Sequence, residues 1–174
     1  MQRPFTKRRQ ESGFSLLEML LATTILLVGL IAVAQLVPAS ILLNSRNRTD
    51  SSALVFAQRE MDQFLDQPLS TSTFQDVLLN TCNLGNAATP NVVQGSPLVN
   101  NQALINFAAA PAANYSFTYT DPNDPSGTSY DVRWAVIVTG NGSAASSKRF
   151  ILGIRQQGGN GFFQPVTLDM MVGK

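Results

Sequence analysis

The chain has 174 residues, with 12 lysine and arginine residues against 11 aspartate and glutamate residues, and no histidine. This length fits one domain of ordinary size, or one domain and a membrane segment. The missing histidine excludes Ser–His and Cys–His nucleophile pairs and histidine metal sites, and the single cysteine, Cys82, excludes an internal disulfide. The composition therefore argues against most classes of enzyme.

Charge is unevenly distributed along the chain. The first nine residues carry four basic side chains, Arg3, Lys7, Arg8 and Arg9, and Glu11 is the only acid before residue 13. From residue 14 onward, eight basic side chains face ten acidic ones, so the rest of the chain is mildly acidic. Nucleic-acid binders use basic surfaces with interleaved aromatic residues, and this pattern predicts no nucleic-acid partner.

Residues 14–37 form an apolar stretch of 24 residues in which Glu18 is the single charge. As an α-helix this stretch would be about 36 Å long, which is enough to cross a bilayer core of about 30 Å. Because basic residues precede it, the positive-inside rule places the N-terminus in the cytoplasm and the residues after about 44 in the periplasm. A secretory signal and a simple anchor are the alternatives, but a secretory signal has a shorter apolar core of about 7–15 residues.

The carboxylate of Glu18 is the unusual feature of this segment. A charge at the centre of a spanning helix costs about 2.5–3.5 kcal/mol, and less near the end of the helix, so intramembrane charges are usually functional. A positive group on a neighbouring chain would compensate for it. A free amine at Phe14, made by cutting after Gly13, would be such a group.

Residues 7–13 (KRRQESG), followed by residues 14–18 (FSLLE) and the apolar stretch, resemble the class III signal of type IV pilins and pseudopilins. The resemblance implies cleavage between Gly13 and Phe14 by a prepilin peptidase, and N-methylation of Phe14. It also implies a filament in which Glu18 meets the N-terminal amine of the adjacent subunit. The implied partners are the peptidase, other pilin or pseudopilin subunits, an inner-membrane assembly platform and the lipid bilayer.

Helical periodicity returns after a polar stretch at residues 44–52 and ends before Pro68. The apolar stripe predicted to pack on a sheet consists of Leu54, Ala57, Met61, Phe64 and Leu65. The acidic and basic residues assigned mostly to the other faces are Arg59, Glu60, Asp62 and Asp66. Residues 53–65 resemble the second half of the long helix in pilus-modification minor pilins and in the small minor pseudopilins of type II secretion.

Residues 67–114 are rich in small and polar residues and show little periodicity, which indicates a variable, partly ordered region. A short helical turn is predicted at residues 73–79. Cys82 has no cysteine partner, and we expect a buried, idle thiol.

Four stretches of alternating apolar and polar residues follow, at residues 115–120, 130–138, 150–155 and 166–172. Such patterns, separated by Gly, Asn and Ser, predict an antiparallel sheet with one buried face, which would cover the helix stripe. The fold class is therefore α+β, pilin-like, with a long N-terminal transmembrane helix on a small antiparallel sheet domain. The predicted organisation is a cleaved leader at 1–13, a long helix at 14–66 with its membrane-spanning part at 14–37, and a periplasmic domain at 67–174.

Three loops carry residues found in binding motifs, and each is better explained as a turn. Residues 121–127 offer oxygen ligands for calcium but do not match the EF-hand spacing, so a solvated hairpin turn is predicted. Residues 140–142 and 158–161 are glycine-rich but lack the continuation of a phosphate-binding loop. We find no catalytic constellation, and we predict neither an enzyme nor a cofactor or metal site.

The prediction for function is a minor pilin of a type IV pilus, processed by prepilin peptidase and assembled through its N-terminal helix. It would be stored as a single-pass inner-membrane protein with its C-terminal domain in the periplasm. The alternatives are a minor pseudopilin of a type II secretion or DNA-uptake system, and, from other classes, a tethered periplasmic binding module for calcium, DNA or a surface, or a membrane-bound enzyme.

Overall fold

The computed structural model describes residues 14–100, 102–122, 127–142, 144–157 and 164–173. As predicted, the fold is α+β, with a long apolar N-terminal helix and antiparallel sheets. The elements in chain order are α1 (Leu16–Leu65), β1 (Thr73–Gln75), β2 (Thr81–Asn83), β3 (Val93–Gly95), β4 (Ser116–Thr120), β5 (Ser129–Gly140), β6 (Ala145–Gln157) and β7 (Val166–Gly173).

The chain divides into two compact units, Met1–Arg46 and Asn47–Lys174. The described part of the first unit is the apolar beginning of α1, whereas the second unit holds the rest of α1 and all seven strands. The predicted leader at 1–13 lies outside the described residues. The predicted boundaries at 14–66 and 67–174 stay predictions.

The main sheet has five antiparallel strands, and all four stretches with alternating residues are strands in it. Strands β3, β5, β6 and β7 follow one another in that order, and β4 also pairs with β5. The long strands β5 and β6 are joined by the glycine turn at residues 140–142, where Gly140 pairs with Ala145 and Gly142 has a φ of 60°. A left-handed residue suits a tight hairpin, so the predicted turn is confirmed here.

The second half of α1 packs on one face of this sheet through aromatic side chains. The ring centre of Phe64 lies 5.1 Å from that of Trp134 and 5.8 Å from those of Phe74 and Phe150. Trp134 is fully buried, and its indole nitrogen Nε1 donates a hydrogen bond to the carbonyl oxygen of Asn83 at 2.8 Å. The helix, the small β1–β2 sheet and the main sheet therefore share one core.

The predicted helix stripe is partly correct. Ala57, Met61 and Phe64 are buried as expected, but Leu54 is 38% exposed. The buried face is instead completed by three residues outside the predicted stripe: Ala53, Phe56 and Glu60. The reason is tertiary: the ring of Phe56 stacks on Tyr119 with 3.8 Å between centres, which turns this part of the helix toward β4.

The prediction of one buried sheet face is incomplete, because residues 97–109 cover much of the other face. Ile105 packs there against Ala135 and Ile151 in a second apolar cluster. Close contact is possible because β6 has a glycine at this point. A Cβ built on Gly153 would lie 2.8 Å from the side chain of Ile105.

A buried arginine, paired with an aspartate on its own strand, fastens the same covering segment to β5. The guanidinium of Arg133 donates to both carboxylate oxygens of Asp131, and its Nη1 donates to the carbonyl oxygen of Ala109 at 2.7 Å. It also lies over the ring of Phe107, 5.1 Å from the ring centre. A charge pair this far out of water stays favourable only when further hydrogen bonds satisfy it, as the carbonyl does here.

Residues 67–114 hold more structure than the sequence indicates. They contribute three short strands, and the helical turn predicted at 73–79 is wrong, because Thr73–Gln75 pairs with Thr81–Asn83 as a strand. The turn between these strands is closed by Asp76, whose carboxylate accepts hydrogen bonds from the backbone N–H groups of Leu78 and Asn80. Aspartate favours turns because it can bond to its own neighbouring backbone in this way.

Glu60 is the least satisfied charge of the core. Its side chain is fully buried, Oε1 lies 3.3 Å from Arg59, and Oε2 has no hydrogen-bond partner among the described residues. Burial raises the pKa of the Glu60 carboxyl, and the nearby carboxylate of Asp76 raises it further. The same two carboxylates and, above all, burial raise the pKa of the Cys82 thiol to about 12.

We expect Gly153→Ala to destabilise the fold by about 1–3 kcal/mol, because the new methyl group overpacks the contact with Ile105. Chemical denaturation of the full chain in detergent measures this. Gly173→Ala on the neighbouring strand is the control, since its Cβ would meet its nearest atom at an ordinary 3.5 Å. Equal stability of the two variants would contradict the close packing of residues 97–109.

We expect the wild type to lose stability as the pH rises, and we expect Glu60→Gln to abolish the part of this loss that comes from Glu60. Because folding raises the pKa of Glu60 above its ordinary 4.5, its favourable contribution is complete below that pH and is lost as the pH rises through the folded pKa. The free energy of unfolding of the wild type, relative to the variant, should therefore fall as the pH rises. A stability difference between the wild type and the variant that does not change with pH would refute the assignment.

Candidate functional site

The candidate site is the beginning of α1. Phe14 and Ser15 precede the helix, and the carbonyl oxygen of Ser15 accepts the N–H groups of Glu18 at 3.0 Å and Met19 at 3.1 Å. Serine is favoured at the position just before a helix, where its side chain can also serve the free N–H groups. The first turn thus begins immediately after the predicted cleavage point. Gly13 itself lies outside the described residues.

The helix surface that follows is apolar all round. Within Leu16–Asn44, an 18-residue window reaches a mean hydropathy of 2.5, and none of that window is buried within the protein. The hydroxyl groups of Thr24 and Ser40 donate to carbonyl oxygens four residues earlier, at 2.7 and 2.6 Å. Polar side chains that bond to their own helix need no water, so the segment is suited by length and composition to cross a membrane.

Phe14 and Glu18 are both exposed at this end of the helix. The side chain of Phe14 is 79% exposed, and no described residue forms an ion pair with the carboxylate of Glu18. A carboxylate in the first turn is favourable to its own helix, because the free N–H groups there carry partial positive charge. The Glu18 carboxylate is therefore exposed and takes no part in the ion pairs of the described residues.

The acidic side chains and the cysteine in the rest of the described chain are scattered. No group of three or more His, Cys, Asp or Glu side chains is placed to hold a metal ion within the described residues. The Cys82 thiol is buried, as expected from the sequence, and this burial raises its pKa.

The two other loops singled out in the sequence fall partly outside the described residues. Of residues 121–127, positions 123–126 are not described, but Asp121 N–H donates to the carbonyl oxygen of Thr128 between the antiparallel strands β4 and β5. That arrangement fits the predicted hairpin turn. The glycine-rich residues 158–161 lie wholly outside the described residues.

A groove of about 730 Å³ lies beside the β5–β6 turn. Its described lining has no charged side chain and consists of Leu69, Ser70, Ser72, Gly85, Asn86, Ala87, Ala88, Gly142, Ala144 and Ala145. Its walls are made largely of small side chains and give no convergent polar groups. The groove therefore does not define a ligand.

Comparison with known proteins gives one match, at the N-terminal end of the chain. Residues 8–34 match the family described as the prokaryotic N-terminal methylation motif. The match spans Gly13, Phe14, Glu18 and most of the exposed apolar helix. No curated protein and no solved structure matches the chain.

The match supports a type IV pilin-like protein with a class III prepilin signal, of the pilin or pseudopilin type that prepilin peptidase processes. The signal implies assembly with other pilin subunits, and the single apolar helix fits single-pass anchoring in the inner membrane.

We expect Gly13→Leu to block removal of the leader, because a bulky side chain replaces the small residue at the cleavage point. Mass analysis of N-terminal peptides from membranes should then find the intact leader, whereas the wild type should begin at N-methylated Phe14. Ser12→Ala, one residue earlier, should be processed as the wild type is. A wild-type N-terminus that is the same with and without prepilin peptidase would contradict the cleavage.

Proposed function

We propose that this protein is a minor pilin, a structural subunit of a type IV pilus present at or near the filament tip. The observation that carries the proposal is the prepilin motif at residues 8–34 on an exposed apolar helix. The resemblance of residues 53–65 to the helix of pilus-modification minor pilins favours this subclass. A long region rich in small and polar residues follows the helix at residues 67–114, and such a region is typical of the same group.

The proposed mechanism begins with storage in the inner membrane. The apolar helix holds the precursor there, with the domain that follows it in the periplasm. Cutting after Gly13 gives Phe14 a free amine, and N-methylation leaves that amine positively charged. The helix then leaves the bilayer for the core of the filament, where apolar helices of neighbouring subunits replace lipid.

In this mechanism the carboxylate of Glu18 pairs with the amine of Phe14 on the adjacent subunit. Both charges are desolvated in the filament core, and a buried charge left without its partner costs about 3–5 kcal/mol. The pair therefore fixes the stagger between subunits, because any other stagger leaves both charges unpaired. Its partner amine exists only after cleavage, which makes processing a condition for assembly.

A minor pseudopilin of a type II secretion or DNA-uptake system is the second candidate, since it would use the same signal and the same helix. The two differ in the machine they join. Deleting the gene should reduce surface pili and leave secretion unchanged if the protein is a minor pilin. Loss of secretion with normal pili would assign it to the secretion machine instead. In either case we propose a structural role and no enzymatic one.

We expect Glu18→Gln to reduce incorporation into filaments by at least about tenfold, which corresponds to only about 1.4 kcal/mol of lost interaction. The amide keeps the size of the side chain but not its charge. Because Glu18 is exposed in the free subunit, membrane levels and thermal unfolding should not change. Quantitative immunoblotting of sheared filaments against membranes measures the ratio.

Asp62→Asn is the matched control, because it neutralises an exposed carboxylate elsewhere on the same helix. It should enter filaments at the wild-type level. Normal incorporation of Glu18→Gln would show that the proposed charge pair does not direct assembly. Equal loss in both variants would mean that net charge, and not this pair, is what matters.

A further inference from the structure

The β1–β2 hairpin, residues 73–83, is a separate sheet of two strands with three residues each. A hairpin of this size is at best marginally stable in water by itself, so its contacts with the rest of the domain decide whether it stays in place. Two contacts join it to α1. The ring of Phe74 lies 5.8 Å from that of Phe64, and the N–H of Val77 donates to Oε1 of Gln63 at 3.0 Å.

The two ends of the hairpin are fastened to the main sheet and its neighbouring loop. At the first end, Nζ of Lys148 donates to the carbonyl oxygen of Thr71. At the second end, Nε1 of Trp134 donates to the carbonyl oxygen of Asn83, and the N–H of Asn83 donates to the carbonyl oxygen of Asn114 at 2.9 Å. The part between these ends can therefore move away from α1 while the ends stay in place.

Glu60 of α1 is buried near this hairpin beside a second carboxylate, that of Asp76. The Glu60 side chain is fully buried and Asp76 is 4% exposed. Both oxygens of Asp76 accept hydrogen bonds, Oδ1 from the N–H groups of Leu78 and Asn80, and Oδ2 from Nδ2 of Asn80. Oε2 of Glu60 has no hydrogen-bond partner among the described residues. Glu60 is therefore the carboxyl whose negative charge is the less compensated of the two.

The charges around Glu60 come from three elements. On α1, Arg59 lies 3.3 Å from Oε1, but its side chain is 46% exposed and compensates only in part. On the hairpin, Asp76 adds a like charge, and the thiol of Cys82 is the other titratable group. On the main sheet, the buried cation is Lys148, which is held at the first end of the hairpin. The surroundings thus favour an uncharged Glu60 for as long as the hairpin covers it.

We propose that ionisation of Glu60 releases the β1–β2 hairpin from α1 while the main sheet stays folded. A neutral carboxyl is tolerated under the hairpin. An ionised one is a buried charge with an incomplete partner and a second carboxylate nearby, which is strongly unfavourable. Moving the hairpin away lets water reach Oε2 and separates Glu60 from Asp76, and the small sheet has few contacts to lose. Local opening of such weakly held elements is a general property of folded proteins.

The direction of the pH dependence follows from burial. Burial, and then the Asp76 carboxylate, raise the pKa of Glu60 above its ordinary 4.5, so the closed form binds the proton more tightly than the open form. The closed hairpin is therefore most stable below that pH, and this stability is lost as the pH rises through the raised pKa. The device lies within the second compact unit and does not depend on which filament the protein joins.

Cys82 reports the opening, because it is the only cysteine of the sequence and its side chain is fully buried. The full chain in detergent is treated with a pyridyl disulfide, a reagent that also reacts with thiols at acid pH. At neutral and mildly alkaline pH we expect the wild type to react severalfold faster than Glu60→Gln. Below pH 4.5, where both side chains are uncharged, the two rates should be equal. Glu60→Met, a second uncharged variant, should behave as Glu60→Gln does.

Electrostatics without opening would give the opposite order. The negative charge of Glu60 raises the pKa of the Cys82 thiol, so in a hairpin that stays closed the wild type would react more slowly than the variants. A wild type that reacts more slowly than Glu60→Gln, or at the same rate at every pH, would overturn the proposal.

A second probe separates local release from unfolding of the whole domain. Val136→Cys, with Cys82 replaced by alanine, places the thiol at a fully buried position of β5. It should stay unreactive over the same pH range, and reaction with the pH dependence of Cys82 would overturn the proposal.

Hydrogen exchange of the wild type needs no substitution and decides the question even if the Glu60 variants fail to fold. As the pH rises, peptides from residues 73–83 should lose protection relative to peptides from residues 130–138 of the same molecule. Comparing two segments at one pH removes the intrinsic effect of pH on exchange. A constant ratio of protection would refute the release of the hairpin.

Discussion

The contact between Phe64 and Trp134 is the interaction on which the second compact unit, Asn47–Lys174, depends. Phe64 comes from the helix and Trp134 from the centre of β5, and their ring centres are 5.1 Å apart. Truncating a buried Phe or Trp side chain typically costs about 3–5 kcal/mol, which is a large part of the stability of a small domain. The hydrogen bond from Trp134 to Asn83 also ties β2 to this contact. Helix, main sheet and small sheet are thus joined at one point.

The chain separates its two kinds of apolar surface. Residues 53–64 contribute the helix face that is buried within the domain, whereas the side chains of Leu16–Asn44 remain exposed for a bilayer or for other helices. The charged side chains of the two parts also differ. Asp131 and Arg133 satisfy each other inside the domain, but Glu18 has no ionic partner among the described residues.

Much of the fold could be predicted because its elements repeat with a simple period. The β5 and β6 patterns alternate over many residues, and both became long paired strands. The buried face of α1 was harder to predict, because the apolar pattern does not show that Phe56 is buried and Leu54 exposed. Glu60 is charged and lies off the predicted stripe, yet it is buried. Lys148 is buried as well, because it alternates in phase with the buried Phe150. Its Nζ donates to the carbonyl oxygen of Thr71, a contact 77 residues apart in sequence.

The sequence by itself determined the processing segment and the class of the protein, because basic residues, Gly13, Phe14, Glu18 and an apolar stretch act through their order along the chain. Only the tertiary structure decided that residues 97–109 cover the second face of the sheet, that Glu60 is buried, and that β7 ends the sheet with an open edge. The physical reason is that these features depend on contacts between distant segments. Such contacts are set by shape and packing, and they leave no periodic trace in either segment alone.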